Sequence, residues 1–176
     1  MKTICKFILL QLLVVSISHG QNRIQPGIYT IKNKKYEVIR TNVFSEASNE
    51  KIIISSVDNK YFHSAPPRPK VQYPFPMQLK DIHVDNDRAK SIILNVLKDK
   101  LDMLKSENDT LGIRIVFMEN GKIGGITYML KPSTIITIDN IDQIEKLFKA
   151  ELKAKFTGID YLQYKLISYS LPSVIF

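Results

Sequence analysis

The sequence predicts an α+β fold, a two-layer sandwich in which an antiparallel sheet of about three strands carries two helices on one face. Three observations predict it. After residue 87 the predicted elements follow in the order helix, strand, strand, helix and strand. Both helices carry an apolar stripe at steps of three and four residues, and an Asn-Gly pair joins the first two strands. Helices on one sheet face bury all of these apolar surfaces together, and a shorter N-terminal β-rich appendage precedes them.

Residues 1–20 have the three parts of a secretory signal peptide. Two lysines precede an apolar run from Phe7 to Ile17, and small residues follow it. A run of about a dozen apolar residues is too short to cross the hydrocarbon core of a bilayer, which needs about 20. We therefore expect a cleaved signal peptide, with Gln21 as the new N-terminus, and an exported protein that is periplasmic or extracellular.

The composition excludes several classes of chemistry. The chain has 176 residues, a net charge of +8 and one cysteine, Cys5, which lies within the signal. Without residues 1–20, 156 residues remain with 23 basic and 17 acidic side chains, so the net charge is +6. This mature chain is free of cysteine, which excludes disulfides, thiolate metal sites and thiol nucleophiles. No basic block of this chain has interleaved aromatic residues of the kind that stack bases, so no nucleic-acid partner is predicted.

The predicted N-terminal appendage, residues 21–64, contains three strands. Two short β-branched and aromatic runs, 27–31 and 35–40, flank Asn33-Lys34 and predict a hairpin. A third strand is predicted over residues 52–57, where three isoleucines precede two serines and a valine. The sequence leaves open whether this appendage packs on the main domain.

A proline-rich connector is predicted to follow the appendage. Five of the eight prolines fall within residues 64–76. Proline fixes φ and removes a backbone donor, so such a stretch favours an extended, polyproline-like conformation. The sequence therefore predicts a connector over residues 65–77 and an α+β domain over residues 78–176.

Both helices of the main domain have a predicted cap and an apolar stripe. The first begins at Asp85 or Asn86, and the second at Asp139 or Asn140. The stripe of the first helix consists of Ala89, Ile92, Ile93, Val96, Leu97, Leu101 and Leu104, and that of the second of Ile141, Ile144, Leu147, Phe148 and Leu152. The acids in the first turns of the second helix, Asp139, Asp142 and Glu145, are attributed to the helix dipole.

The strands of the main domain are predicted from two hairpin arms and a closing strand. Apolar runs over 113–118 and 123–130 flank Asn120-Gly121, which favours a type I′ turn because both residues tolerate a positive φ. A short extended run is predicted over 134–138, and alternation from Tyr161 to Leu171 predicts the closing strand. The hairpin and the closing strand form the predicted sheet.

Residues 87–170 resemble the TonB C-terminal domain family. The resemblance rests on the order of elements and on three stretches, GIRIVF at 112–117, NGKI at 120–123 and IDN at 138–140. It implies a periplasmic protein that binds a partner peptide along an exposed sheet edge. The chain departs from the family in its cleavable apolar segment and short proline-rich stretch, where a TonB protein keeps an anchor and a long spacer. The whole chain looks like a small secreted bacterial protein.

Two histidines, His63 and His83, are the candidates for catalysis or metal binding. Either could act as a general base or ligate zinc together with a carboxylate. Neither belongs to an HxxxH or HExxH pair, and no GxSxG surrounds a serine. Asp85-Asn86-Asp87 lacks the glycine and the final glutamate of a calcium loop. No catalytic residue, metal site or cofactor is therefore predicted.

Four residues near the C-terminus are the candidates for partner binding, because tyrosine is enriched at binding surfaces: Tyr161, Tyr164, Lys165 and Tyr169. The sequence favours an exported, non-enzymatic domain that binds another protein or peptide, with a partner strand at a sheet edge. Membrane contact is expected only through envelope association. A proline substituted for Lys165 would test whether a partner strand pairs with the edge of the closing strand. The alternatives are a secreted hydrolase that uses either histidine with an unidentified carboxylate or serine, and a structural accessory of an envelope assembly.

Overall fold

Nine strands and three α-helices form the described part of the chain, residues 23–42, 50–63 and 69–176 of a computed structural model. The strands are β1 Gly27–Ile31, β2 Lys34–Asn42, β3 Glu50–Ser56, β4 Ile82–His83, β5 Thr110–Met118, β6 Ile123–Leu130, β7 Lys155–Phe156, β8 Leu166–Ser170 and β9 Val174–Ile175. The α-helices are α1 Asn86–Val96, α2 Leu101–Ser106 and α3 Ile138–Glu151. The predicted signal peptide lies outside the described residues.

Seven of these strands form one antiparallel sheet. Their order is β1-β2-β3-β6-β5-β8, and β9 pairs with β5 beside β8. The strands β4 and β7 form a separate two-stranded sheet. The edge strands of the large sheet are therefore β1 at one side and β8, with β9, at the other.

The predicted fold class is wrong about the sheet, which has seven strands instead of about three. The predicted appendage is part of it, because Ile52 to Ser55 of β3 pair with Thr127 to Leu130 of β6. Both Ile52 and Ile54 are fully buried, and β3 buries them by joining the larger sheet. The alternation within a strand predicts its two faces, but it does not record which distant strand lies beside it.

The helices α1 and α3 pack on one face of the sheet, which we call the inner face. The buried inner-face side chains include Tyr36, Val38, Ile52, Ile54, Leu111, Ile113, Ile115, Phe117, Tyr128 and Ile167. The helices contribute Ala89, Ile92, Ile93, Ile141, Ile144 and Phe148 to the same core, which confirms the predicted direction of both apolar stripes. The opposite face, which we call the outer face, is turned away from the helices.

The two long helices begin at different kinds of cap. Asp85 accepts a hydrogen bond from the backbone nitrogen of Arg88 at 2.8 Å, so the first predicted cap is confirmed. The second prediction is wrong, because α3 is capped by Thr137 in a capping box with Asn140. The first predicted helix is also divided, and a 3₁₀ turn, Lys98–Lys100, separates α1 from α2.

Only one of the two hairpins has a type I′ turn. In the first hairpin both turn residues, Lys32 and Asn33, have positive φ angles of 46° and 73°, as a type I′ turn requires. In the second hairpin only Gly121 has a positive φ, 76°, so the type I′ prediction is wrong there. The run 134–138 forms no strand, and the closing segment contains a 3₁₀ helix, Asp160–Gln163, before β8 begins. Within the described residues, no helix is long and apolar enough to cross a membrane.

Candidate functional site

A groove of about 820 Å³ lies at the start of the edge strand β8. It is lined by Tyr61, Met118, Glu119, Asn120, Tyr161, Leu162, Lys165 and Leu166, and we call it the β8 groove. Two of the four predicted partner-binding residues, Tyr161 and Lys165, therefore lie in it. Aromatic and aliphatic side chains with a few polar groups at their margin are the usual lining of a binding groove.

The other two predicted residues lie elsewhere. Tyr164 is half-buried, and its hydroxyl donates to the carbonyl oxygen of Phe75 at 2.8 Å. Tyr169 is 9% exposed and belongs to the core, where Asn86 Nδ2 donates to its hydroxyl at 3.0 Å. These contacts give both tyrosines a role in holding neighbouring segments, and neither lines the β8 groove.

The described end of the proline-rich stretch brings exposed aromatic side chains close to the start of β8. Lys70 donates its backbone N–H to the carbonyl of Gln163 at 2.8 Å, and Phe75 donates to the side-chain oxygen of Gln163 at 3.0 Å. Tyr73 is 82% exposed and Phe75 is 69% exposed. Exposed apolar groups that cluster beside a groove are typical of protein interaction surfaces.

The free edge of β8 presents backbone groups of alternate residues. Leu171 N–H donates to the carbonyl of Ile113 at 3.0 Å, so Leu171 faces β5. Because alternate residues of a strand turn their N–H and C=O groups to opposite sides, Leu166, Ser168 and Ser170 turn theirs away from β5. No described strand pairs with β8 on that side. These groups can therefore form the ladder of an added strand.

The segment after β3 forms one wall of the β8 groove and is fixed to the sheet by Asn59. Its Nδ2 donates to Ser55 Oγ at 2.8 Å and to the carbonyl of Ile126 at 3.2 Å. Its Oδ1 accepts from the backbone N–H of Tyr61 at 3.1 Å. Gly125 permits this approach, because a Cβ there would lie 2.2 Å from Asn59 Oδ1.

Replacing Gly125 with alanine is therefore expected to displace Asn59 and, with it, Tyr61 from the groove. The expected loss in free energy of unfolding is about 1–3 kcal/mol, the usual cost of overpacking. Urea titration measures it, with Gly112→Ala as the control, since the nearest atom to a Cβ at Gly112 is the flexible Cε of Met129, at 3.2 Å. Equal stability of the two variants would contradict this account of the groove wall.

The two candidate histidines lie in different places and outside the β8 groove. His63 Nε2 lies 2.6 Å from Glu37 Oε2, and His83 Nε2 lies 2.9 Å from Thr157 Oγ1. Both imidazoles are exposed, and neither lines the groove. Among the described residues, no group of three or more His, Cys, Asp or Glu side chains could hold a metal ion.

A buried acidic cluster beneath α3 is the feature that sequence reasoning missed. Glu145 is 1% exposed, and its Oε1 lies 2.7 Å from both Lys34 Nζ and Lys149 Nζ. The sequence pattern that indicates its burial is the position of Glu145 in the apolar stripe, four residues after Ile141 and three before Phe148. The dipole interpretation overlooked that this position points into the core.

Two tyrosines complete this cluster. The hydroxyl of Tyr36 donates to Asp142 Oδ1 at 2.8 Å, whereas the buried hydroxyl of Tyr128 has no hydrogen-bond partner among the described residues. Burial, followed by the carboxylate of Glu145, raises the pKa of both phenols well above its ordinary value. Both rings therefore stay protonated at neutral pH.

Comparison with known proteins identifies a similar fold but indicates no activity. The chain is similar to a crystal structure of a DUF5043 family protein from Bacteroides uniformis, with a TM-score of 0.68 and 12% sequence identity. The likeness covers 86% of this chain and 92% of that one, and at this identity it extends to the fold alone. No family model and no curated protein matches the sequence. The resemblance to the TonB C-terminal domain family stays a prediction.

Proposed function

We propose that this protein is an exported, non-enzymatic binding protein that captures an extended segment of another protein along β8. The observation that carries the proposal is the free edge of β8 next to the β8 groove. Added strands gain affinity from main-chain hydrogen bonds and specificity from pockets for alternate side chains. The outward backbone groups of β8 supply the main-chain hydrogen bonds. The β8 groove, with its apolar surroundings, supplies a pocket for a side chain.

The location outside the cytoplasm belongs to the same proposal. It is supported by the basic, apolar and small-residue parts of residues 1–20. The absence of cysteine after residue 20 is compatible with an oxidising compartment. The exposed aromatic side chains Tyr73 and Phe75 extend the apolar surface that a partner would cover.

A proline at Ser168 is expected to weaken peptide capture by about tenfold. It removes one outward N–H, and a hydrogen bond of this kind contributes about 1 kcal/mol, to which the proline ring adds a steric barrier. Lys165, the position suggested by the sequence, is unsuitable because it precedes β8. The mature protein would be panned against a display library of random peptides, and calorimetry would measure the affinity of those enriched.

Two control variants separate the edge from other effects. Ser168→Ala keeps the backbone N–H and is expected to bind as the unmodified protein does. Thr30→Pro places proline on the opposite edge strand, β1, directly across from Lys35. The carbonyl of Lys35 accepts from the N–H of Val57 on the other side of β2, so Thr30 turns its own N–H away from β2. This variant is expected to leave capture unchanged. If Ser168→Pro binds normally, or if Thr30→Pro abolishes binding instead, capture along β8 is wrong.

A further inference from the structure

The outer face of the sheet has an excess of positive charge. Three cations, Lys35, Lys51 and Arg114, occupy strand positions on this face, and Glu37 is the one carboxylate among its described strand positions. That carboxylate already contacts His63 at 2.6 Å. An acidic partner would therefore meet little repulsion on this face.

Arg114 is the cation closest to β8. It lies on β5 directly opposite Ser170, and it is exposed. Among the described residues it has no ion pair and no side-chain hydrogen bond. Near the β8 groove, Glu119 is ion-paired with Lys70, so it does not compensate Arg114. A guanidinium offers several N–H donors in a planar arrangement that matches a carboxylate.

The register of the sheet relates Arg114 to the β8 groove. A strand added to β8 would lie two strand spacings, or about 10 Å, from β5. Residues directly opposite each other share a face, so the residue opposite Ser170 would project beside Arg114. The residue opposite Leu166, four positions away, would project into the groove that Leu166 lines. An arginine and a glutamate side chain together span the distance between their strands.

We infer that the segment captured along β8 carries an acidic residue opposite Ser170, where Arg114 binds its carboxylate, and an apolar residue opposite Leu166, in the β8 groove. This inference rests on the proposed function and adds the chemistry of the partner to it. All neighbouring strands of the sheet are antiparallel. In an antiparallel addition the acidic residue comes first, and the apolar residue follows four positions later.

Two synthetic peptides test the inference. Both peptides consist mainly of residues with β-branched side chains, and both carry leucine at the position opposite Leu166. They differ only in the residue four positions before that leucine, which is glutamate in one and lysine in the other. The unmodified protein is expected to bind the glutamate peptide about tenfold more tightly than the lysine peptide. Arg114→Glu is expected to reverse that preference, because it replaces an attraction by a repulsion in the same place.

The control variant is Lys51→Glu, which makes the same charge change on the outer face of β3. It is expected to alter the preference by less than twofold. Circular dichroism and thermal unfolding verify that each variant is folded. Equal loss of preference in Arg114→Glu and Lys51→Glu means a diffuse attraction to the outer face and overturns the inference.

The remaining outcomes separate the inference from the proposed function. If both peptides bind equally and Ser168→Pro weakens both, capture along β8 is supported and the role of Arg114 is wrong. If neither peptide binds while peptides enriched from the display library bind and are weakened by Ser168→Pro, the inference alone is wrong. If binding of the enriched peptides is insensitive to Ser168→Pro, the proposed function fails and the inference fails with it.

Discussion

Replacing Lys34 and Lys149 with methionine in one variant is expected to lower the free energy of unfolding by about 3–5 kcal/mol. Both ammonium groups lie 2.7 Å from Oε1 of Glu145, which is 1% exposed. Methionine keeps an apolar stem of similar length but removes the charge. The carboxylate would then be buried without a cation, and an uncompensated buried charge costs about this much. Urea titration followed by circular dichroism measures the loss.

A third substitution distinguishes charge from packing. Adding Glu145→Gln to the double variant replaces the carboxylate by a neutral amide of the same size, so most of the lost stability is expected to return. An exposed ion pair provides the comparison, because Arg88→Met removes the cation that pairs with Glu151 at the surface. Such surface pairs contribute about 0–1 kcal/mol. Equal stability of the double variant and the triple variant would refute the electrostatic explanation.

Replacing Gly121 with alanine is expected to cost about 3 kcal/mol or more. Its φ of 76° is left-handed, which costs a residue with a Cβ about 1–2 kcal/mol. The added Cβ would also lie 2.0 Å from the carbonyl oxygen of Ala154. The chain cannot move apart there without breaking the hydrogen bond from Ala154 N–H to the carbonyl of Gly121, 3.0 Å long. Chemical denaturation measures the combined effect.

Gly27 supplies a control in which a positive φ is not combined with a close contact. It also has a positive φ, of 149°, but a Cβ there would meet nothing within 4 Å. Gly27→Ala therefore carries only the cost of an unfavourable φ. A Gly121→Ala variant that loses no more than about 1–2 kcal/mol, the cost of a left-handed φ, would mean that the contact with Ala154 is unimportant.

The local elements of this fold could be predicted because their causes are local. The step pattern through Ile92 and Ile93, or through Ile144 and Phe148, determines which side of each helix is buried. The Asn-Gly pair before Lys122 likewise predicted a hairpin. The size of the sheet could not be predicted in this way, because the pairing of β3 with β6 depends on the fit of two surfaces far apart in sequence.

The candidate site was predicted in part for the same reason. Tyr161 and Lys165 line the β8 groove, but Tyr61 reaches it only because Asn59 is bonded across the sheet to Ile126. Arg114 was not singled out, since its proposed role comes from its position opposite Ser170. The sequence lists the side chains that can lie on a surface, but the pairing register of the strands determines which of them become neighbours.

The pairing of β3 with β6 also has a consequence for how the chain folds. Ile54 lies beside Tyr128, 74 residues later, whereas the β5–β6 hairpin pairs residues that are close in sequence. Contacts between distant residues form slowly, because the loop between them must close first. During synthesis, which starts at the N-terminus, the apolar side chains of β3 are made long before β6 is available to pair with that strand. We expect the β5–β6 hairpin to act as the folding nucleus, with the N-terminal strands added last.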